Sequence, residues 1–355
     1  MADRKTVLII GAGASAEYNL PTGLKLKQRI SELLDIRFTS DGDSRLMSGD
    51  ISIYEAFATK AKASNPNNSN VLPYQMMAWR IRDAMPQASS IDNYIDANRG
   101  DEVLAQCCKL AIVRSILDAE KKCPLYIDPR QDISTPRFDK IEGTWLTSFF
   151  RLLSENCQVS QLAQRFSTLS LVIFNYDRCV EHYLYHTLQN YYGISGENAA
   201  QLIEHLSIYH PYGVVGALPW QKHSKIIDFG ATPLSNDLLY YADQIRTFTE
   251  GTDPSTSTIV KLRHKLLDAN VVLFLGFAYH RLNIELLRPD GLLHRDPQNT
   301  KYFGTAIDIS ESDCGIIVDE LHSIGSAPHK NILLRRDLDC VNLFKEFGRS
   351  LSLVR

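Results

Sequence analysis

The stretch Thr6-Val-Leu-Ile-Ile-Gly-Ala-Gly-Ala-Ser15 decides how the rest of the chain is read. An apolar run feeds straight into Gly11-x-Gly13, and Ala16 completes a G-x-G-x-x-A spacing. A strand without polar alternation is buried on both faces, as in a parallel sheet covered by helices. Glycines at its end let the backbone pass close to a pyrophosphate, or serve a tight strand-to-helix turn with no ligand. A second apolar run, Leu171-Val-Ile-Phe-Asn-Tyr-Asp177, ends on an Asn and an Asp. Ligands of open α/β sheets sit beyond the carboxyl ends of the strands, so Asn175 and Asp177 are placed at such a crevice.

Working outward, Thr22 caps a helix whose apolar positions Leu26, Ile30, Leu33 and Leu34 recur at helical spacing. The segments Thr39–Ser44 and Asn65–Asn70 read as exposed loops. Around them lie helical stretches at 53–63, 72–85, 91–120 and 143–155, and Ser89-x-x-Asp92 fits a capping box. No strong period-two strand interrupts this region, which reads as an inserted helical module. Strands then fit 169–174, 206–210, 225–229, 270–275, 301–306 and 331–334. Helices fit 178–190, 198–205, 235–249, 257–268, 283–288, 312–324 and 338–350. The expected architecture is α/β: a Rossmann-like, mainly parallel sheet with helices on both faces. Residues 1–37 and 167–355 form it, and 38–166 form the helical insertion. The last helix runs nearly to residue 355, and a separate sensor domain is not expected.

Composition narrows the function classes. With 355 residues, 44% apolar and 22% charged, the chain is an ordinary globular protein. A formal net charge of −3 supplies no basic field for nucleic acid. No apolar run approaches the roughly 18 residues of a membrane span. Arg4-Lys5 followed by apolar residues and Ala14-Ser-Ala16 mimics a secretory signal, but Asp3 and the short run oppose it, and cleavage would remove the glycine turn. Seven cysteines without a C-x-x-C spacing point to a reduced, cytoplasmic protein.

Four motifs, in this order, resemble those of sirtuin-like proteins: Gly11-Ala-Gly-Ala-Ser15; Phe174-Asn-Tyr-Asp-Arg178 with Glu181; Tyr209-His-Pro-Tyr-Gly213; and Leu273-Phe-Leu-Gly-Phe277 with Asn283. More narrowly, the chain resembles the bacterial sirtuin-like NADases that act as anti-phage effectors. The resemblance implies an NAD glycohydrolase that releases nicotinamide and ADP-ribose, with NAD as substrate and no metal. It implies NAD binding by Gly11, Ala12, Gly13, Ser15, Asp177, Gly276 and Asn283. Asn175 would orient water and the nicotinamide-side ribose hydroxyls, and Asp177 would lie near the nicotinamide amide. His210 would be catalytic, although the family's His-Gly pair is here His210-Pro-Tyr-Gly213. The loop Glu17–Thr22 resembles the segment that closes over the dinucleotide.

Each residue also has a plainer reading. Ser15 donates to a phosphate or caps the turn, and Gly276 admits the adenosine half or makes a simple turn. Asp177 caps the helix that starts near Arg178, and Arg178 and Glu181 pair along that helix. Asp35 is the acidic residue a dehydrogenase would need, but it follows a helix rather than a strand. His182 and His186 are spaced i, i+4 on one helix without a third ligand.

The chemistry is economical. Pyridinium leaves the ribose as a neutral molecule, so cleavage needs no general acid, unlike an O-glycoside. Charge develops on the sugar, water attacks, and His210, with an ordinary pKa near neutrality, could take the proton. Protein deacylation is the rival within the fold, but the four-cysteine zinc module of sirtuin deacylases is missing. A silent NAD or ADP-ribose sensor and an oxidoreductase are the rivals outside it. An NADase must be gated, so homo-oligomers or a separately encoded trigger, such as an ATPase or nucleotide-processing partner, are expected. The insertion 38–166 is the expected assembly surface.

Overall fold

The computed structural model describes residues 4–39, 45–64, 70–131, 134–246, 250, 257–289, 300–325 and 327–353. At its centre β1 (Thr6–Ile10) pairs in parallel on both sides, with β4 (Leu169–Ile173) and β6 (Val271–Leu275). Adding β5 (Ser207–Tyr209), β7 (Lys301–Thr305) and β8 (Ile332–Arg335) gives one six-stranded sheet in the order β5-β4-β1-β6-β7-β8. All its pairings are parallel. This is the doubly wound Rossmann order, with the reversal between β1 and β6. A two-stranded antiparallel pair, β2 (Arg37–Phe38) and β3 (Leu46–Ser48), stands apart from it.

Alternate residues of the sheet feed two cores. Val7, Ile9, Val172 and Phe274 face one, and Leu8, Ile10, Leu171 and Leu273 face the other. The first is covered by α2 (Gly23–Leu34), α3 (Ile51–Ser64), α4 (Leu72–Ala84), α5 (Ile91–Ala97) and α6 (Glu102–Lys122). The second is covered by α8 (Trp145–Ser154), α9 (Val159–Ser167), α10 (Cys179–Tyr192), α11 (Gly196–Ile203) and α16 (Cys340–Leu351), with α7 (Phe138–Ile141) alongside. Segment 38–166 is thus divided between the two faces of the sheet. The remaining helices are α1 (Ala12–Ser15), α12 (Ser235–Ala242), α13 (Ser257–Leu267), α14 (Arg281–Leu287) and α15 (Glu311–Gly325).

Several sequence expectations are corrected. The stretch 91–120 is two helices, because Gly100 takes φ +97° and the Asp101 side chain accepts the Leu104 N–H to start α6. The N-cap of α5 is Ser90, not Ser89; its side chain accepts from Asn93 N–H. Segment 225–229 is not a strand and makes only an isolated bridge, Ala217 to Ile226. Its carbonyls are taken by side chains instead: Tyr241 bonds Ile226 O, and Arg178 bonds Ile227 O and Asp228 O. The expected helix 235–249 ends at Ala242. Most of the loops expected at 39–44 and 65–70 lie outside the described residues.

The two halves of the sheet interlock through backbone. Gly13 N–H donates to Gly276 O and Gly11 N–H to Leu275 O, both at 2.9 Å. A Cβ on Gly11 would lie 2.6 Å from Gly276 O, and one on Gly276 would lie 1.9 Å from Ala14 N. Gly276 also takes φ +55°, a region costly for residues with a Cβ. Gly276→Ala should therefore cost at least ~2 kcal/mol, from overpacking and left-handed strain together. Gly315→Ala, on α15 with nothing near its added Cβ, should instead stabilise by ~0.5–1 kcal/mol. Urea denaturation of the two variants checks both signs.

Candidate active site

The site grows from the carboxyl ends of β1, β4 and β6. Ser15, on the short turn after β1, is buried to 2% exposure and is the hub. Its hydroxyl donates to Asp177 Oδ2 at 2.9 Å and accepts from Asn175 Nδ2 at 2.8 Å. Tyr18 OH lies 3.0 Å away and completes its acceptor capacity. One donor and two acceptors are all a serine offers, so Ser15 is fully committed to the protein.

Asn175 is fixed by that hub. Its amide nitrogen also donates to Gly11 O at 3.1 Å, so both of its N–H bonds are used and the amide orientation is set. Its Oδ1 accepts no hydrogen bond from any described residue, and Asn175 lines a cavity of about 300 Å³. Asp177 is buried; its Oδ1 accepts the N–H of Cys179 in the first turn of α10. Burial pushes the Asp177 carboxyl above its usual range, against the pull of the bonds from Cys179 and Ser15.

His210 follows β5 and meets Asn175 from the backbone side. Its Nδ1 lies 3.3 Å from Asn175 O, and its Nε2 lies 2.6 Å from Glu181 Oε1. The two ring nitrogens therefore face oxygen partners, the Asn175 carbonyl and the Glu181 carboxyl. Burial lowers the His210 pKa, but the Glu181 charge and hydrogen bond, with the Asn175 carbonyl, outweigh it and raise it overall. In this arrangement both ring nitrogens are engaged by the protein. Its effect on the site passes through the position of Asn175.

The partners expected along α10 are rearranged. Arg178 does not pair with Glu181; it pairs with Glu120 of α6, at side-chain exposures of 2% and 0%. Arg178 Nε donates to Glu120 Oε1 at 3.0 Å, and Gly230 N–H donates to Glu120 Oε2 at 3.0 Å. Removing one member of such a pair strands a buried charge, so α6 is firmly tied to the start of α10. Asp35 caps the end of α2 and is bonded by Arg82 and Arg37, remote from the cavity lining. His182 stacks on Phe229 at 4.1 Å and bonds Leu125 O, with burial holding its pKa well down. Among the described residues no group of three or more His, Cys, Asp or Glu is arranged to hold a metal ion.

The cavity opens at the β1/β6 reversal, where doubly wound folds bind ligands. Of the residues expected from the sequence, Gly11, Ala12, Asn175, Asp177 and Asn283 line it. Gly13, Ser15, Gly276 and His210 do not; they form the support behind those residues. Gly13 and Gly276 serve the backbone interlock, and the Gly13 N–H is spent on Gly276 O rather than free for a phosphate. Asn283 Oδ1 accepts from Tyr212 OH, which closes one side. Ser90, Asp92 and Asn93 of the helical segment close another, with Tyr176, Phe277 and His280. Sequence reasoning missed these. In the sequence Asp92 reads as part of a capping box, and nothing in its spacing ties it to strands so far along the chain.

The fold and this crevice define a Rossmann-like α/β protein with a cavity at its switch point. Comparison with protein-family models gives no match, and comparison with curated proteins gives none either. Among the described residues no helix is long and apolar enough to cross a membrane.

The Glu181–His210 pair generates a stability test. A His with a raised folded pKa contributes stability that is full below pH ~6.5 and is lost as pH rises through the folded value. His210→Gln should therefore be destabilised most at pH ~5.5, with the gap to wild type shrinking toward pH ~9. His210→Ala leaves Glu181 buried without its partner and should cost ~3–5 kcal/mol. Urea melts across that pH range measure both.

Proposed function

We propose that the protein is an NAD glycohydrolase, cleaving the bond between ribose and nicotinamide with water as acceptor. The observation that carries the reading is Asn175. Its amide nitrogen is locked by Gly11 and Ser15, no described residue donates to its Oδ1, and the residue lines a switch-point cavity. A fixed acceptor of this kind can hold the hydrogen of an attacking water or of a ribose hydroxyl. It holds that hydrogen without itself changing protonation.

The cavity volume of about 300 Å³ is at the small end of ligand sites, suited to the nicotinamide-ribose half with the remainder of the dinucleotide outside. Cleavage gives a neutral leaving group and a cationic sugar, so a site that orients water and excludes bulk solvent is sufficient in kind. The resemblance to sirtuin-like NADases supports the same chemistry. It also supports a role as an NAD-depleting effector in anti-phage defence, in the manner of abortive infection. In that role the protein would act in the cytoplasm, as a homo-oligomer or with a separately encoded trigger, the segment 38–166 forming the assembly surface.

One observation favours the sensor reading instead: His210 has both ring nitrogens engaged by the protein and does not line the cavity. Incubation with NAD separates the readings. Free nicotinamide with ADP-ribose supports hydrolysis, reduced cofactor supports an oxidoreductase, and bound but intact NAD supports a sensor. Asn175→Ala should lower turnover by ~10²–10³-fold, with a much smaller change in NAD affinity. An equal loss in affinity and turnover would assign Asn175 to ground-state binding only.

A further inference from the structure

The proposed reaction releases a proton when water adds to the sugar, and His210, with both ring nitrogens engaged by Asn175 O and Glu181, does not line the cavity. Two carboxylates line the cavity, Asp92 and Asp177. Asp177 is committed at both oxygens, to Ser15 and to Cys179. Asp92 is not. It sits in the first turn of α5 and is half-buried; its carboxylate accepts from Tyr176 OH, at Oδ1, and from its own backbone N–H. No other described residue donates to its carboxylate.

Resting on the glycohydrolase reading, we infer that Asp92 is the catalytic base of this site and the anion that stabilises the reacting sugar. The carboxylate comes from the helical segment, across the cavity from the strand that carries Asn175. In the step, the C1′–N1 bond breaks and its electron pair passes to the ring nitrogen, so pyridinium becomes neutral nicotinamide. A lone pair of water forms the new C1′–O bond. The water's proton passes to the Asp92 carboxylate and from there to solvent. NAD and water thus give ADP-ribose, nicotinamide and a proton, with no further reactant.

The surroundings suit the role. Burial pushes the Asp92 carboxyl above its usual range, which strengthens it as a base, while the Tyr176 bond and the charge of His280 pull it back. The other titratable groups facing it are Tyr212 and Cys108, both held protonated by burial. Arg281, on the cavity wall beside His280, is paired with Glu285. A low-dielectric wall also strengthens the attraction between this carboxylate and a cationic sugar or pyridinium.

The test uses the full-length chain. Asp92→Asn keeps the shape and should lower kcat by ~10²–10⁴-fold, while abolishing the fall of kcat/KM at acid pH. Tyr176→Phe removes a bond that lowers the Asp92 pKa, so its acid limb should move to higher pH. A structural role for Asp92 would move neither limb. A binding measurement makes the result independent of gating. Calorimetry should find that wild type prefers NAD, with its pyridinium charge, over NADH by at least ~5-fold, and that Asp92→Asn loses this preference. NAD cleaved or bound with Asp92→Asn unchanged would overturn this assignment alone. No binding of NAD to wild type would overturn the glycohydrolase reading and this assignment with it.

Discussion

The hydroxyl of Ser15 is the junction on which the site depends. It lies on the turn after the central strand, and its partners Asn175 and Asp177 lie at the end of the neighbouring strand. Parallel pairing brings those strand ends to one level, and the hydroxyl then joins them. Because its donor and both acceptor positions are filled, the amide of Asn175 has one orientation that satisfies the network. Rigidity of this kind is what a positioning residue needs, since an acceptor that rotates cannot hold a water in place.

Behind this junction the structure spends buried charge. Glu120 and Arg178 join the helical segment to α10, and Glu181 and His210 join α10 to the end of β5. Both pairs cost desolvation, and each is offset by further hydrogen bonds to backbone carbonyls or N–H groups. The result is a cleft whose walls come from distant parts of the chain.

Much of the fold is legible in the sequence because buried parallel strands are written as uninterrupted apolar runs. Val7–Ile10, Leu171–Ile173 and Val271–Leu275 read clearly, and their flanking helices carry apolar faces at helical spacing. Segment 225–229, Lys-Ile-Ile-Asp-Phe, carries apolar residues but no strand neighbour, since the guanidinium of Arg178 and the hydroxyl of Tyr241 take its carbonyls. A local pattern cannot register a side-chain donor from another element. The glycines show a related limit. Gly11 and Gly13 stood out, yet what demands them is the backbone of Gly276, far along the chain. Asn175 is legible as a cavity residue because it ends an apolar strand, whereas Asp92, a carboxylate in the first turn of a helix, reads as ordinary capping and helix-dipole chemistry.

The central claim is that the free oxygen of Asn175 receives the nicotinamide-side ribose of NAD. The most direct measurement is a structure of the protein with ADP-ribose bound. The account expects that ribose within hydrogen-bonding distance of Asn175 Oδ1, in the cavity shared with Asp92, and the Ser15 junction unchanged. A nucleotide seated elsewhere, or an Asn175 side chain turned so that its oxygen faces Ser15, would contradict it.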